Sequence, residues 1–221
     1  VSFIKIPSGE INNIFLIKNI LKTRNKNLII STGMASLNEI SKIISEVKKV
    51  KKINISLLHC ISNYPTKLKD MNLRMINILK DRFKLNIGLS DHSASTSLPA
   101  FAVFAGASII EKHFTLDKNL NGPDHKSSLN PKQFKRMVSN IRKAELINGS
   151  SEKKIINSEL DNKKLVRKVL VAKKNINKGD SFNFNNLTAM RSDSGTSVSL
   201  YKKLINKKSK INLKIGDLVE L

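Results

Sequence analysis

The chain of 221 residues has one cysteine, Cys60, and no tryptophan; aromatic residues make up only 5%, and 17 acidic residues face 40 lysines and arginines. A single thiol excludes an intramolecular disulfide framework and fits a reducing cytosol. No apolar run approaches the ~18 residues of a membrane span, and no basic n-region leads into a hydrophobic signal core. These absences point to a soluble, cytoplasmic protein without a membrane partner. The shortage of aromatics also bears on the net charge of +23. Such a charge suits phosphate contacts to nucleic acid. Here the cations are mostly lysine, spread along the chain, with no interleaved aromatics to stack bases. A solvated cationic surface accounts for the charge, and a basic nucleic-acid-binding module is the lesser alternative.

What is present is alternation of strand and helix. Phe3-Ile6, Leu28-Ile30, Ile53-Leu58, Leu85-Leu89 and Ala107-Ile110 read as buried strands. Helices are expected from Ile11 to about Arg24, from Leu37 to Val47, from Met71 to Phe83 and from Leu98 to Ala105. After the last strand comes a long loop, Thr115 to Asn130, and then a helix that Pro131 starts and that runs to about Ile147. Repeated βα units imply an α/β fold with a parallel sheet. A (β/α)8 barrel needs eight units and about 250 residues, so these five form either an open sheet or a TIM barrel whose first three units are absent. The second is favoured, giving a partial barrel over residues 1–147. Residues 148–164 are polar and read as a linker. Residues 165–221 read as a small, mostly β domain with turns at Lys178-Gly179-Asp180 and Lys214-Asp217 and strands at Val166-Val171, Leu187-Met190 and Ile211-Val219.

Polar residues gather just after the strands: Ser8-Gly9-Glu10, Ser31-Thr32-Gly33, His59 to Tyr64, Ser90-Asp91-His92 and Lys112-His113. Ligands of parallel α/β sheets sit at those carboxyl ends. His92 and His113 end consecutive strands, so their imidazoles are expected to converge where a metal or substrate could sit. Lys5 and Ser8, with Ser31 and Ser90, would make a phosphate cradle. Each has a plainer reading beside this one: Ser8, Ser31 and Asp91 as helix caps or turn formers, and His59 as structural.

Taken in order, Lys5-Ile6-Pro7-Ser8-Gly9-Glu10, Ser31-Thr32-Gly33-Met34, Leu58-His59-Cys60 with Tyr64-Pro65-Thr66, Gly88-Leu89-Ser90-Asp91-His92, Glu111 to Asp117 and Gly122-Pro123-Asp124-His125 resemble the N-acetylneuraminate (sialic acid) synthase family, which includes legionaminate and pseudaminate synthases. The tail, through Met190-Arg191-Ser192-Asp193-Ser194-Gly195, resembles that family's antifreeze-like (SAF) domain. The resemblance implies a transferase that condenses phosphoenolpyruvate with an N-acetylated amino sugar such as N-acetylmannosamine, giving a nine-carbon 2-keto sugar acid and phosphate. It implies that His92 and His113 hold a divalent metal, usually Mn²⁺, with Mg²⁺ or Co²⁺ possible. Lys5, Ser8, Ser31 and Ser90 match phosphoenolpyruvate ligands. Ser62 stands where some members have asparagine in that pocket, and Tyr64 lines it on both the phosphoenolpyruvate and the sugar side. Glu10 matches a carboxylate acting on the attacking water, and Asp124 a sugar-hydroxyl contact. Arg191 matches an arginine that reaches the partner subunit's site, which implies a domain-swapped homodimer.

Two features set the chain apart. Ser192 stands where many members have proline, and the family's first three strands, which carry further substrate contacts, have no counterpart here. The expectation is therefore little activity alone and, in a split enzyme, a separate polypeptide that carries those units. An inactive carbohydrate-binding or interaction remnant shares every motif. Gly122-Pro123-Asp124-His125-Lys126 is closer to the neuraminate and legionaminate branch.

Overall fold

A computed structural model describes residues 2–23 and 27–221 of the chain. The expected end of the first helix at Arg24 lies outside the described residues. The chain divides into two compact units, Val1–Gly149 and Ser150–Leu221.

The first unit alternates β1 (Ile4–Ile6), α1 (Ile14–Leu21), β2 (Asn27–Ser31), α2 (Leu37–Lys48), β3 (Asn54–Cys60), α3 (Arg74–Phe83), β4 (Asn86–Asp91), α4 (Leu98–Phe104), β5 (Ile110–Lys112) and α5 (Pro131–Asn148). The five strands pair in chain order, all parallel. Their two faces follow from the period of two in a strand. Ile6, Leu28, Ile30, Leu57, Ile87 and Leu89 are buried with Ile17, Ile40, Ile44, Val47, Ile76 and Leu79 of the helices, so one face carries the helical layer. The alternate set, including Lys5, Ser31, Leu58, Cys60, Gly88, Ser90 and Glu111, faces the other way.

That second face is concave. Lys5 and Glu111 belong to strands at opposite edges of the sheet, yet Lys5 Nζ lies 3.1 Å from Glu111 Oε1. In a flat five-stranded sheet the edges would be about 19 Å apart, more than two side chains bridge. Gly88 permits the tight curl between β4 and its neighbours: a Cβ there would lie 2.4 Å from the Ile109 carbonyl and 2.6 Å from a Leu58 methyl.

Several boundaries differ from the sequence reading, each for a local reason. Asn13 caps α1 through Leu16 N, so Ile11–Asn13 form turns before the helix. Likewise a 3-10 turn at Leu68–Asp70 precedes α3, and Met71 is buried outside it. The apolar segment Ala107–Ile109 begins the pairing with β4, but the assigned strand runs through Glu111 and Lys112. α2 and α5 start on capping boxes, Ser36 with Glu39 and Asn130 with Gln133, and Pro131 opens α5 as expected.

In the second unit, α6 (Asn157–Val166) takes up the later part, residues 157–164, of the segment read as a linker. β6 (Lys168–Ala172) and β7 (Leu187–Arg191) pair antiparallel. A small core of Leu170, Ala172, Ile176, Phe182, Leu187, Leu204, Leu213 and Val219 supports them. The strand expected at Ile211–Val219 is not continuous; Leu213 and Leu218 make isolated bridges to Ile176 and Val171. Between those bridges a turn closes, with Asp217 N donating to the Lys214 carbonyl and Gly216 at φ +90°.

Candidate active site

A pocket of about 490 Å³ opens on the concave face at the carboxyl ends of the strands, lined by Lys5, Pro7, Ser8, Gly9, Met34, Ser62, Tyr64, His92, Glu111 and His113. Six of the residues singled out from sequence line it: Lys5, Ser8, Ser62, Tyr64, His92 and His113. A wider opening of about 900 Å³ lies at the amino ends, lined by residues such as Leu28, Asn54 and Asn86. It gathers no comparable chemistry.

The two imidazoles do converge, with ring centroids 5.3 Å apart and nearly perpendicular planes. Tyr64 stacks against both, at 4.1 Å from His92 and 5.5 Å from His113. Its loop is laced to the end of β4, because Thr66 N donates to the His92 carbonyl and Thr66 Oγ1 to the Asn63 carbonyl. His92 Nδ1 lies 2.8 Å from the Ile61 carbonyl. A carbonyl only accepts, so Nδ1 carries the proton, and in the neutral ring Nε2 keeps its lone pair. Burial works against the charged form of His92, but its contacts with Cys60 Sγ and the Ile61 carbonyl prevail and raise its pKa. Burial lowers that of His113, against the attraction of Asp124. Cys60 is the counterpart: burial would raise its thiol pKa, yet hydrogen bonds with His92 and Ser8 hold it below the ordinary value.

The hydroxyl groups are arranged around Gly33. Gly33 N donates to Ser8 Oγ at 3.0 Å. A Cβ on Gly33 would lie 2.3 Å from Ser62 Oγ and 2.7 Å from Ser8 Oγ, so only glycine lets the two serines approach. Ser8 Oγ donates to Cys60 Sγ at 3.5 Å. Ser31 Oγ is buried and makes no hydrogen bond, alone in this respect among the described residues. No helix is capped by the side chain of Ser8, Ser31 or Asp91, although Asp91 Oδ1 closes a local turn by accepting from Ser93 N. A buried hydroxyl without a partner is costly, and that of Ser31 stands at the end of β2, two residues before Gly33 and outside the pocket's lining.

Other expected residues sit differently. Ser90 Oγ donates to Glu111 Oε1 at 2.7 Å and stands 3.3 Å from His92 Nε2, beneath the lining. Glu10 is outside the lining and accepts from Asn13 Nδ2 at 2.6 Å. Asp124, largely exposed, brings Oδ2 to 3.8 Å from His113 Nδ1. Arg191 stands on β7 of the second unit. His59 takes the structural reading: it is buried and its Nε2 lies 2.7 Å from the Met71 carbonyl.

The sequence reading missed Glu111 and the pair formed by Asp91 and Lys112. Lys112 Nζ lies 2.6 Å from Asp91 Oδ2, both side chains fully enclosed, and also donates to the Ser93 carbonyl. Asp91 Oδ1 accepts from Ser93 N at 2.7 Å. The pair joins the residues immediately before the two histidines, across the β4–β5 register. The signal was available: strand alternation puts residues 91 and 112 on the helical face, where an unpaired charge would not be tolerated.

Residues 1–153 match the model of the NeuB family. The N,N'-diacetyllegionaminic acid synthase of Campylobacter jejuni is 45% identical over 217 residues, covering 97% of this chain and 65% of that protein. The pseudaminic acid synthase of the same species is 39% identical, covering 96% of this chain and 62% of that protein. The chain thus spans less than two thirds of the length of these relatives. The crystal structure of a sialic acid synthetase from Leptospira borgpetersenii matches with a TM-score of 0.69 and 38% identity, over 73% of this chain and 56% of that one.

Proposed function

The chain belongs to the NeuB family, and on that premise we propose that it is, or forms part of, a metal-dependent synthase of the sialic acid type. The reaction joins C3 of phosphoenolpyruvate to the aldehyde carbon of an N-acetylated amino sugar, releasing phosphate. The unit 1–149 is then the later part of a TIM barrel and the tail an antifreeze-like domain. Arg191 serves a partner copy, a separate polypeptide can complete the barrel, and the protein works in the cytoplasm.

One observation carries this reading: a single pocket gathers Lys5, Ser8 and Ser62 on one side and Tyr64, His92 and His113 on the other. The first group supplies donors for a phosphate monoester, and Ser31 Oγ adds a buried donor that no protein atom uses. The second group fits a divalent ion. In its neutral form His92 presents Nε2, because Nδ1 donates to the Ile61 carbonyl, and Asp124 lies beside His113. No cluster of three or more metal-ligating side chains exists among the described residues. Two imidazoles would therefore hold the ion and leave positions open, as catalytic rather than structural sites do. When bound, such an ion supplies Lewis-acid polarisation of the sugar aldehyde.

The protein's own groups do the rest. Lys5 and the serines orient the enol phosphate, which leaves its C3 free to attack. Tyr64 lies against both imidazoles and forms one wall of the pocket. As C3 bonds to the aldehyde, positive character develops at C2, and a nearby carboxylate stabilises it before water adds there and phosphate departs. Glu10 is the carboxylate proposed for that water; reaching it requires release from Asn13.

The experiment is phosphate release from phosphoenolpyruvate with Mn²⁺ and N-acetylmannosamine. Little turnover is expected from the chain alone, and sugar-dependent turnover once a polypeptide supplying the first three βα units is added. His92→Ala and His113→Ala should each abolish it; unchanged rates in both would refute the assignment.

A further inference from the structure

We propose that Glu111 is an internal counter-anion that holds Lys5 and Ser90 until a phosphate monoester displaces it, and thereby sets how tightly this pocket takes its anionic ligand. The proposal rests on the reading of Lys5, Ser8, Ser31, Ser62 and Ser90 as a phosphate cradle.

The geometry is specific. One oxygen, Glu111 Oε1, lies 3.1 Å from Lys5 Nζ and 2.7 Å from Ser90 Oγ. Those are two donors a phosphate would need, drawn from β1 and β4. Ser90 has a single hydroxyl proton, and it is directed at Glu111. Among the pocket's lining residues Glu111 is the one carboxylate. It therefore occupies the position of an anion in the free protein.

An incoming phosphate carries at least one full negative charge and close to two near neutral pH. It cannot share Lys5 with Glu111 without like-charge repulsion, so Glu111 must give up Lys5 as the ligand enters. Ser31 Oγ needs no such exchange, being without a partner. The cost of displacing Glu111 falls on substrate and released phosphate alike. It lowers affinity for both, which keeps a phosphate-releasing site from being held by its product.

Titration of the full chain with inorganic phosphate, and separately with phosphoenolpyruvate, tests this by calorimetry. Glu111→Gln keeps the shape and removes the charge; it should bind inorganic phosphate about tenfold more tightly than the unmodified protein. Lys5→Met should lose binding. Glu111→Ala provides a second charge-removing variant should the glutamine fold poorly, and circular dichroism checks both. A gain in affinity is something structural damage would not produce. Phosphate binding that depends on Lys5 but is unchanged or weaker in both Glu111 variants overturns the counter-anion and leaves the cradle standing. No phosphate binding in any of these proteins overturns both.

Discussion

Of the four histidines, the two buried ones, His59 and His92, are separated by their protonation. His59, buried behind the sheet, has its pKa lowered by burial, against the pull of the Met71 carbonyl. Its folded state therefore binds a proton less readily than the unfolded chain, where histidine titrates near 6.5. Stability from this group is present above about pH 6.5 and is lost as pH falls toward the folded value. His92 acts with the opposite sign, since its pKa is raised: its contribution is present below the unfolded value and is lost as pH rises. Replacing His59 by Gln, which keeps a donor for Met71 but does not titrate, should flatten the acid side of the stability profile. The slope it removes is at most about 1.4 kcal/mol per pH unit. Urea melts between about pH 7.5 and 5.5 read it directly, and an unchanged slope would show that His59 is not the acid-sensitive group.

At the scale of elements, the strand ends set the site, and most of them are legible in the sequence. The apolar runs before Ser31, His59, Ser90 and Lys112 place those residues at carboxyl ends without knowledge of the fold. Other features depend on register, which no single strand encodes. Glu111 opens the run Glu111 to Asp117, but its meeting with Lys5 requires a curl that brings opposite edges together. The orphan state of Ser31 Oγ is likewise a property of packing rather than residue type. In the tail, the alternation Ile211, Leu213, Ile215 reads as a strand, yet Asp217 accepts from Lys214 N and closes a turn inside it. The pair of Asp91 and Lys112 is the strongest element-level constraint. Burial outweighs the attraction of Asp91 and lowers the Lys112 pKa. Lys112→Met should leave a buried carboxylate unpaired and cost about 3–5 kcal/mol of stability, whereas Asp91→Leu with Lys112→Met should recover much of that loss. Denaturant midpoints of the two variants decide it; equal stability of Lys112→Met and the unmodified protein would show that the pair does not constrain the fold.

For the whole molecule, chemistry and charge are separable. The net charge of +23 is a diffuse lysine surface, and only a few of its cations enter ion pairs among the described residues. The pocket instead brings together a small set of groups, all from unit 1–149, which also holds most of the match to the NeuB family. The function proposed for this pocket depends on His92 and His113 holding a divalent ion beside a phosphate cradle. Mn²⁺ titration of the full chain, followed by electron paramagnetic resonance, tests it without requiring turnover. A bound Mn²⁺ population is expected, with affinity at least about tenfold lower in His92→Ala and in His113→Ala. Mn²⁺ binding of equal strength in the unmodified protein and both variants, or none in any of them, would contradict it.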